Sequence, residues 1–192
     1  MHARLYRRSS PWAQHLEGSY FPADVLAAPE HAGRELWYLD NGSDHLIRSS
    51  HCNTRVVRWV LREHGISLAG PAPDVLVPPV PTDLLLDEVK RTMRNWGTEI
   101  ARAPSQIASR WAQSFAVIAY ARMLHTLRTR RVESKVAAVR WSRESLDERW
   151  QDLISRAWLD RPDSAAKCRL PAESADVRER LAFVQHATET TR

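Results

Sequence analysis

The apolar positions of the chain change their period once. Up to about residue 50 they come in short stretches, broken by Pro11, Pro22 and Pro29 and by the turn Asp40-Asn41-Gly42-Ser43. The stretch from Trp12 to Phe21 reads as one strand with short flanks. From about residue 51 the period is helical. Val56, Val57, Val60 and Leu61 share one face of a helix over 52–64, with Arg55, Arg58 and Arg62 pointing away, and Gly65 ends it. A stiff, proline-rich crossing from Gly70 to Pro81 follows. Thr82 caps a second helix with Leu85, Val89, Met93 and Trp96 on one face. Pro104 and Ser105 open a long third helix to about Arg128, striped by Ile107, Trp111, Phe115, Ile118, Ala121 and Leu124. A fourth helix starts at Ser134 with Val136, Val139 and Trp141. A fifth covers 146–159, with Leu146, Trp150, Leu153, Ile154 and Trp158, and a last one runs from Ser174 with Val177, Leu181 and Val184. The pattern predicts a mainly α chain, a bundle of five to six helices over 51–192. Residues 1–50 are too short and irregular for an independent domain.

Composition narrows the class. With 43% hydrophobic and 27% charged residues in 192, the chain is globular rather than disordered. The longest apolar run, Phe115 to Ala121, is seven residues, against the roughly 20 a membrane span needs. The basic start (Arg4, Arg7, Arg8) is not followed by the apolar stretch of a secretory signal. Cys52 and Cys168 cannot build a disulfide framework or a four-cysteine zinc site, so a reduced, cytoplasmic protein is expected. The net charge of +5 raises a nucleic-acid partner. However, only three of the 28 basic residues are lysines (Lys90, Lys135, Lys167), and arginine richness of this kind also follows from base composition. The helix charges are dispersed, which ranks nucleic acid last among the partners.

Three residues stand out chemically. Arg122 lies i+4 from Ile118 and i+7 from Phe115, on the packing face of an apolar helix. A guanidinium keeps its charge, so a buried one needs a partner: an internal carboxylate such as Glu88 or Glu133, or a bound phosphate or carboxylate. Lys135 follows the cap Ser134 and falls in a first helical turn, where it opposes the helix dipole by about 0.3–1 kcal/mol. An anion at that helix start, or Glu133 and solvent, would offset it. Glu17 precedes a glycine on the expected strand, where a solvated carboxylate is the plain reading. His51-Cys52 has no second pair at metal spacing, and His45 with His51 ligates nothing alone. The eight tryptophans fall mostly on helix faces, as core or groove lining. No phosphate-binding loop, dinucleotide glycine signature or nucleophile elbow is present.

A longer set of residues carries a resemblance. His51-Cys52-Asn53-Thr54, Val56-Val57-Arg58-Trp59-Val60-Leu61-Arg62-Glu63-His64-Gly65-Ile66 and Leu68-Ala69-Gly70-Pro71 resemble the segment joining the two domains of aminoglycoside (streptomycin and spectinomycin) adenylyltransferases. The likeness extends through Trp111 to Val117, Arg122 to Leu127, Val132-Glu133-Ser134-Lys135 and Ala137-Ala138, and back through Ser10-Pro11-Trp12 and Leu16 to Tyr20. It implies a nucleotidyltransferase that moves AMP from ATP, with Mg2+, to a hydroxyl of an aminocyclitol or aminoglycoside antibiotic, an antibiotic-resistance activity. A carboxylate would deprotonate the attacking hydroxyl.

Residue by residue, the resemblance makes Glu17 the catalytic base and sets Arg122 and Lys135 on the ATP phosphates, with Trp158 near the nucleotide. Trp37 and Gln113 fall near the acceptor positions. The acidic drug-binding residue of the family would fall near Ala112 or Gln113, neither of which is acidic, and this speaks against streptomycin. The family's Gly-Ser…Asp-x-Asp metal motif is missing. The chain therefore reads as 1–50, the end of a nucleotidyltransferase core, and 51–192, a complete helical domain, and is expected to be incomplete or inactive by itself. The alternative is a non-catalytic helical module that binds nucleotide or a small molecule.

Overall fold

The computed structural model describes residues 2–7, 13, 15–161 and 174–190. Ser10, Pro11, Trp12 and Cys168 lie outside them. The chain divides into two compact units, meeting in sequence at Leu85 and Leu86, and is mainly α with one small sheet. No helix among the described residues is long and apolar enough to cross a membrane.

The first unit holds α1 (His2–Tyr6), β1 (Gly18–Tyr20), α2 (Ala23–Ala27), β2 (Leu36–Leu39), β3 (Ile47–Ser49), α3 (Arg55–His64) and α4 (Pro73–Leu76). The strands form an antiparallel sheet in the order β1-β2-β3, with Gly18 opposite Leu39 and Leu36 opposite Ser49. The expected strand from Trp12 to Phe21 is shorter than its apolar stretch, because only three residues pair with β2. Along β2, Leu36 and Tyr38 are buried and Trp37 is exposed, the alternation a pleated strand imposes.

Helix α3 corrects the sequence reading. Arg58, expected to point away from the packing face, is 2% exposed and is the buried residue of α3. The reason lies in α2. A helix of five residues leaves its last carbonyls without intrahelical partners. Arg58 Nη2 donates to the carbonyl of Val25 at 2.8 Å and Nη1 to that of Leu26 at 2.9 Å. Arg58 Nε donates to Asn53 Oδ1 at 3.0 Å. Asn53, itself fully buried, donates onward to the carbonyls of His31 and Arg34 at 2.8 and 3.0 Å. A cation at a helix C-terminus is also favoured by the dipole, which works against the burial that lowers the Arg58 pKa. Arg62 acts alike: its Nη1 donates to the carbonyls of Asp74 and Val77. That pins α4, a short helix opened by Pro73 inside the predicted extended crossing.

The second unit takes most of α5 (Thr82–Arg102), then α6 (Arg110–Thr129), α7 (Lys135–Ser145), α8 (Gln151–Leu159) and α9 (Ser174–Glu189). The predicted helix from Pro104 is a single 3-10 turn, Pro104–Ile107, followed by α6, whose N-cap Ser109 accepts from the Ala112 N–H. The predicted 146–159 segment divides in the same way, into a 3-10 turn Glu148–Trp150 and α8. Helix α6 packs against α7, α8 and α9, so Ala116, Val117, Ile118, Tyr120, Ala121 and Leu124 are all buried. Tyr120 donates to the carbonyl of Met93 on α5 at 2.8 Å. Gly97 on α5 faces α6 and α9: a Cβ there would stand 2.6 Å from Thr188 Oγ1 and 3.1 Å from the Tyr120 hydroxyl. An arginine–carboxylate network ties the end of the bundle. Arg180, 2% exposed, meets Asp176 at 3.3 Å, Arg156 meets Asp152, Asp176 and Glu179, and Arg110 meets Asp160 at 2.8 Å.

Replacing Arg58 by Met keeps the stem and removes three donors, leaving two carbonyls and the Asn53 oxygen unpaired. A loss of about 3 kcal/mol is expected, read as a lower urea midpoint for the full chain; an unchanged midpoint would sink this account of α3. Gly97→Ala gains about 1 kcal/mol of helix propensity but meets overpacking of roughly 1–3 kcal/mol. The net expected outcome is a lower melting temperature, and a rise would show that the three helices can separate.

Candidate functional site

Two consecutive helices, α6 and α7, carry the cationic candidates of the second unit, Arg122 and Lys135. Arg122 is half-buried on the more open stripe of α6, in line with exposed Phe115. Its Nε–H donates to the backbone carbonyl of Glu133 at 3.1 Å. The Glu133 carboxylate turns instead toward Arg131, at 3.8 Å. A neutral carbonyl partners the guanidinium without cancelling its charge, and burial lowers the Arg122 pKa. Glu133 is two residues before Lys135, so the hydrogen bond docks Arg122 against the segment that opens α7.

That segment has the predicted cap. Ser134 accepts from the Ala137 N–H at 3.2 Å, and Lys135 is the first residue of α7. The Lys135 ammonium lies 5.9 Å from the centre of the Phe115 ring. Phe115, on the predicted core stripe, is 43% exposed. It stacks on Trp111 at 5.3 Å and meets Trp96 edge-on at 5.8 Å. The two helices therefore offer a helix N-terminus, an ammonium, a guanidinium and an exposed aromatic face. These are the parts an anion with an attached ring would use.

Trp158 lies on the other flank of α7. It lines a cleft of about 460 Å³ with Val136, Arg140, Arg143, Glu144 and Gln151 among others, and the Arg161 guanidinium sits 5.2 Å over its ring. Gln113 is fully buried in α6, and neither atom of its amide has a hydrogen-bond partner among the described residues.

The first unit carries the remaining candidates. Glu17 immediately precedes β1 and is exposed. Tyr38 donates its hydroxyl to Glu17 Oε1 at 2.8 Å and also reaches Asp40 Oδ1 at 3.1 Å. Burial and these two carboxylates push the Tyr38 pKa well up. Trp37, the neighbour of Tyr38 on β2, faces the opposite side of the sheet. It is 51% exposed, with Arg48 over its ring at 5.4 Å. The two candidates of the first unit are thus on different faces. The structure also adds two residues dismissed from the sequence. His51 Nε2 lies 3.9 Å from Glu17 Oε1, its ring packs on Tyr38 at 5.4 Å, and Cys52 stands beside them. No sequence spacing signals this, because 33 intervening residues and two strand pairings bring Glu17 to His51.

The sequence profile of the aminoglycoside adenylyltransferase C-terminal domain matches residues 75–186. No curated protein matches the chain.

Burial raises the Cys52 pKa, the Ser19 hydroxyl lowers it, and the Glu17 charge raises it further. Replacing Glu17 by Gln removes a negative neighbour, stabilises the thiolate and lowers that pKa. In chelator-treated protein at pH 7.5, iodoacetamide should label the Cys52 peptide about two-fold faster in the variant; mass spectrometry separates it from the Cys168 peptide, and a slower rate would contradict the electrostatic account.

Proposed function

The chain belongs to the aminoglycoside adenylyltransferase family, and we propose that it serves AMP transfer from ATP to a hydroxyl of an aminocyclitol or aminoglycoside antibiotic. In this reading residues 1–50 belong to a nucleotidyltransferase core and 51–192 to the helical domain, although the compact units divide at Leu85 and Leu86. The observation that carries the reading is the Arg122–Glu133 hydrogen bond. It holds a charge that no carboxylate in that contact cancels beside the N-terminus of α7 and Lys135.

The phosphates of ATP take the Arg122 guanidinium, the Lys135 ammonium and the positive end of the α7 dipole. Trp158 offers its ring beside the nucleotide, and Trp37 an exposed ring for the acceptor. In the transfer, the acceptor oxygen forms a bond to the α-phosphorus, and the bond from that phosphorus to the pyrophosphate oxygen breaks. The hydroxyl proton passes to the Glu17 carboxylate, whose Oε1 is oriented by the Tyr38 hydroxyl. Positive charge on the phosphates helps the leaving pyrophosphate depart.

The family also implies Mg2+, which takes about six oxygen ligands in octahedral array. The described residues gather one group of three potential ligands, Glu17, His51 and Cys52. With one carboxylate in it, that set does not fit Mg2+. This favours a second reading, a helical module that binds nucleotide without turning it over.

Calorimetry of the full chain with ATP tests the shared part. Binding is expected, weakened about tenfold by Lys135→Ala and by at least as much by Arg122→Met, each tenfold being about 1.4 kcal/mol. Absence of binding, or binding indifferent to both changes, rejects the reading. Pyrophosphate release with spectinomycin and streptomycin then separates transfer from binding alone.

A further inference from the structure

Three chemically different donors meet beside the sheet of the first unit. A carboxylate oxygen of Glu17, a ring nitrogen of His51 and the sulfur of Cys52 all lie within 4.8 Å of one another. By strand register alone Glu17 and His51 belong at opposite ends of the sheet. Glu17 precedes the Gly18–Leu39 pair, and His51 follows the Leu36–Ser49 pair. They meet because the turn after β3 folds back and lays the His51 ring against Tyr38. The His51 N–H donates to Ser49 Oγ at 3.1 Å and holds that turn.

Tyr38 orients two of the three donors at once. Its hydroxyl fixes Glu17 Oε1 at 2.8 Å, and its ring carries the His51 imidazole at 5.4 Å with the planes tilted by 49°. An outer group that aims first-contact ligands is what a metal site requires beyond the ligands themselves. Asp40, on the same hydroxyl at 3.1 Å, adds a second negative charge nearby. The atom of His51 that faces Glu17 is Nε2, a ligand position when the proton sits on Nδ1.

We propose that Glu17, His51 Nε2 and Cys52 Sγ form a three-ligand site for a zinc-class divalent transition metal ion, with water in the fourth position. One sulfur, one nitrogen and one oxygen make a borderline-soft set that selects zinc over magnesium or calcium. Bond lengths of about 2.0–2.3 Å put tetrahedral ligands roughly 3.3–3.7 Å apart. The donors therefore close by at most about 1.5 Å, within the reach of side-chain rotation at an exposed glutamate and histidine. Their exposure leaves the fourth position open to solvent. The site stands whether or not the chain transfers AMP. A carboxylate offers about four acceptor sites on two oxygens, so a metal ion on one Glu17 oxygen lowers its basicity without filling every lone pair.

Cobalt(II) titration of the reduced, metal-free full chain tests it. The expected result is one ion per chain, with the intense visible bands of four-coordinate cobalt and a near-ultraviolet thiolate-to-cobalt charge-transfer band, both bleached by zinc. Cys52→Ser should abolish the charge-transfer band, and Cys168→Ser should leave it unchanged. His51→Ala and Glu17→Gln should each weaken binding about tenfold or more, with circular dichroism confirming that the variants fold. Weak six-coordinate bands, a charge-transfer band that follows Cys168, or Mg2+ displacing cobalt at equal concentration would each overturn the proposal.

Discussion

A helix with most of its surface packed can carry a half-buried guanidinium only where a polar group meets it, and α6 is such a helix. Its neighbours α7, α8 and α9 bury most of its apolar residues, while Arg122, expected on the packing face, shares the more open stripe with Phe115 and Ala119 and donates to the carbonyl of Glu133. That contact ties the loop after α6 back to α6, beside the left-handed Arg130 and the Thr129 Oγ1 bond to the carbonyl of Arg131. It thereby joins α6 to the segment that opens α7 at Lys135. The cost is a partly desolvated charge that no carboxylate meets among the described residues.

The first unit uses arginine differently. Arg58 and Arg62 close the C-terminal carbonyls of the short helix α2 and of the α4 region. Helices of four or five residues cannot satisfy their own ends, and side-chain donors from α3 do it for them. An arginine-rich chain thus spends part of its charge on backbone carbonyls. Net charge by itself is accordingly a poor guide to a nucleic-acid surface in this protein.

The same unit shows how two roles can compete for one carboxylate. Glu17 is oriented by Tyr38, which suits a base that must point at an incoming hydroxyl. The same orientation, with His51 and Cys52 alongside, suits a ligand. The chemistry differs in what the carboxylate takes up, a proton or a metal ion. Geometry supports both, and the surrounding carboxylate Asp40 favours positive charge in either case.

Amphipathic period and capping residues are local properties. The sequence alone therefore determined the helical character of the chain, the cap at Ser134, the position of Lys135 in a first turn, and the anomaly of a charge among Ile118, Tyr120 and Leu124. Family likeness in these same segments agreed with the matched domain over 75–186. Tertiary structure decided the rest. A helical wheel places Arg58 outside because it counts side-chain polarity and cannot see the orphan carbonyls of another helix. Glu17, His51 and Cys52 are strangers in sequence, joined only by strand pairing and a returning turn. Local physics fixes which face of an element is apolar. Which polar groups end up opposite one another is settled only when the elements pack, since that depends on distances the linear order does not contain.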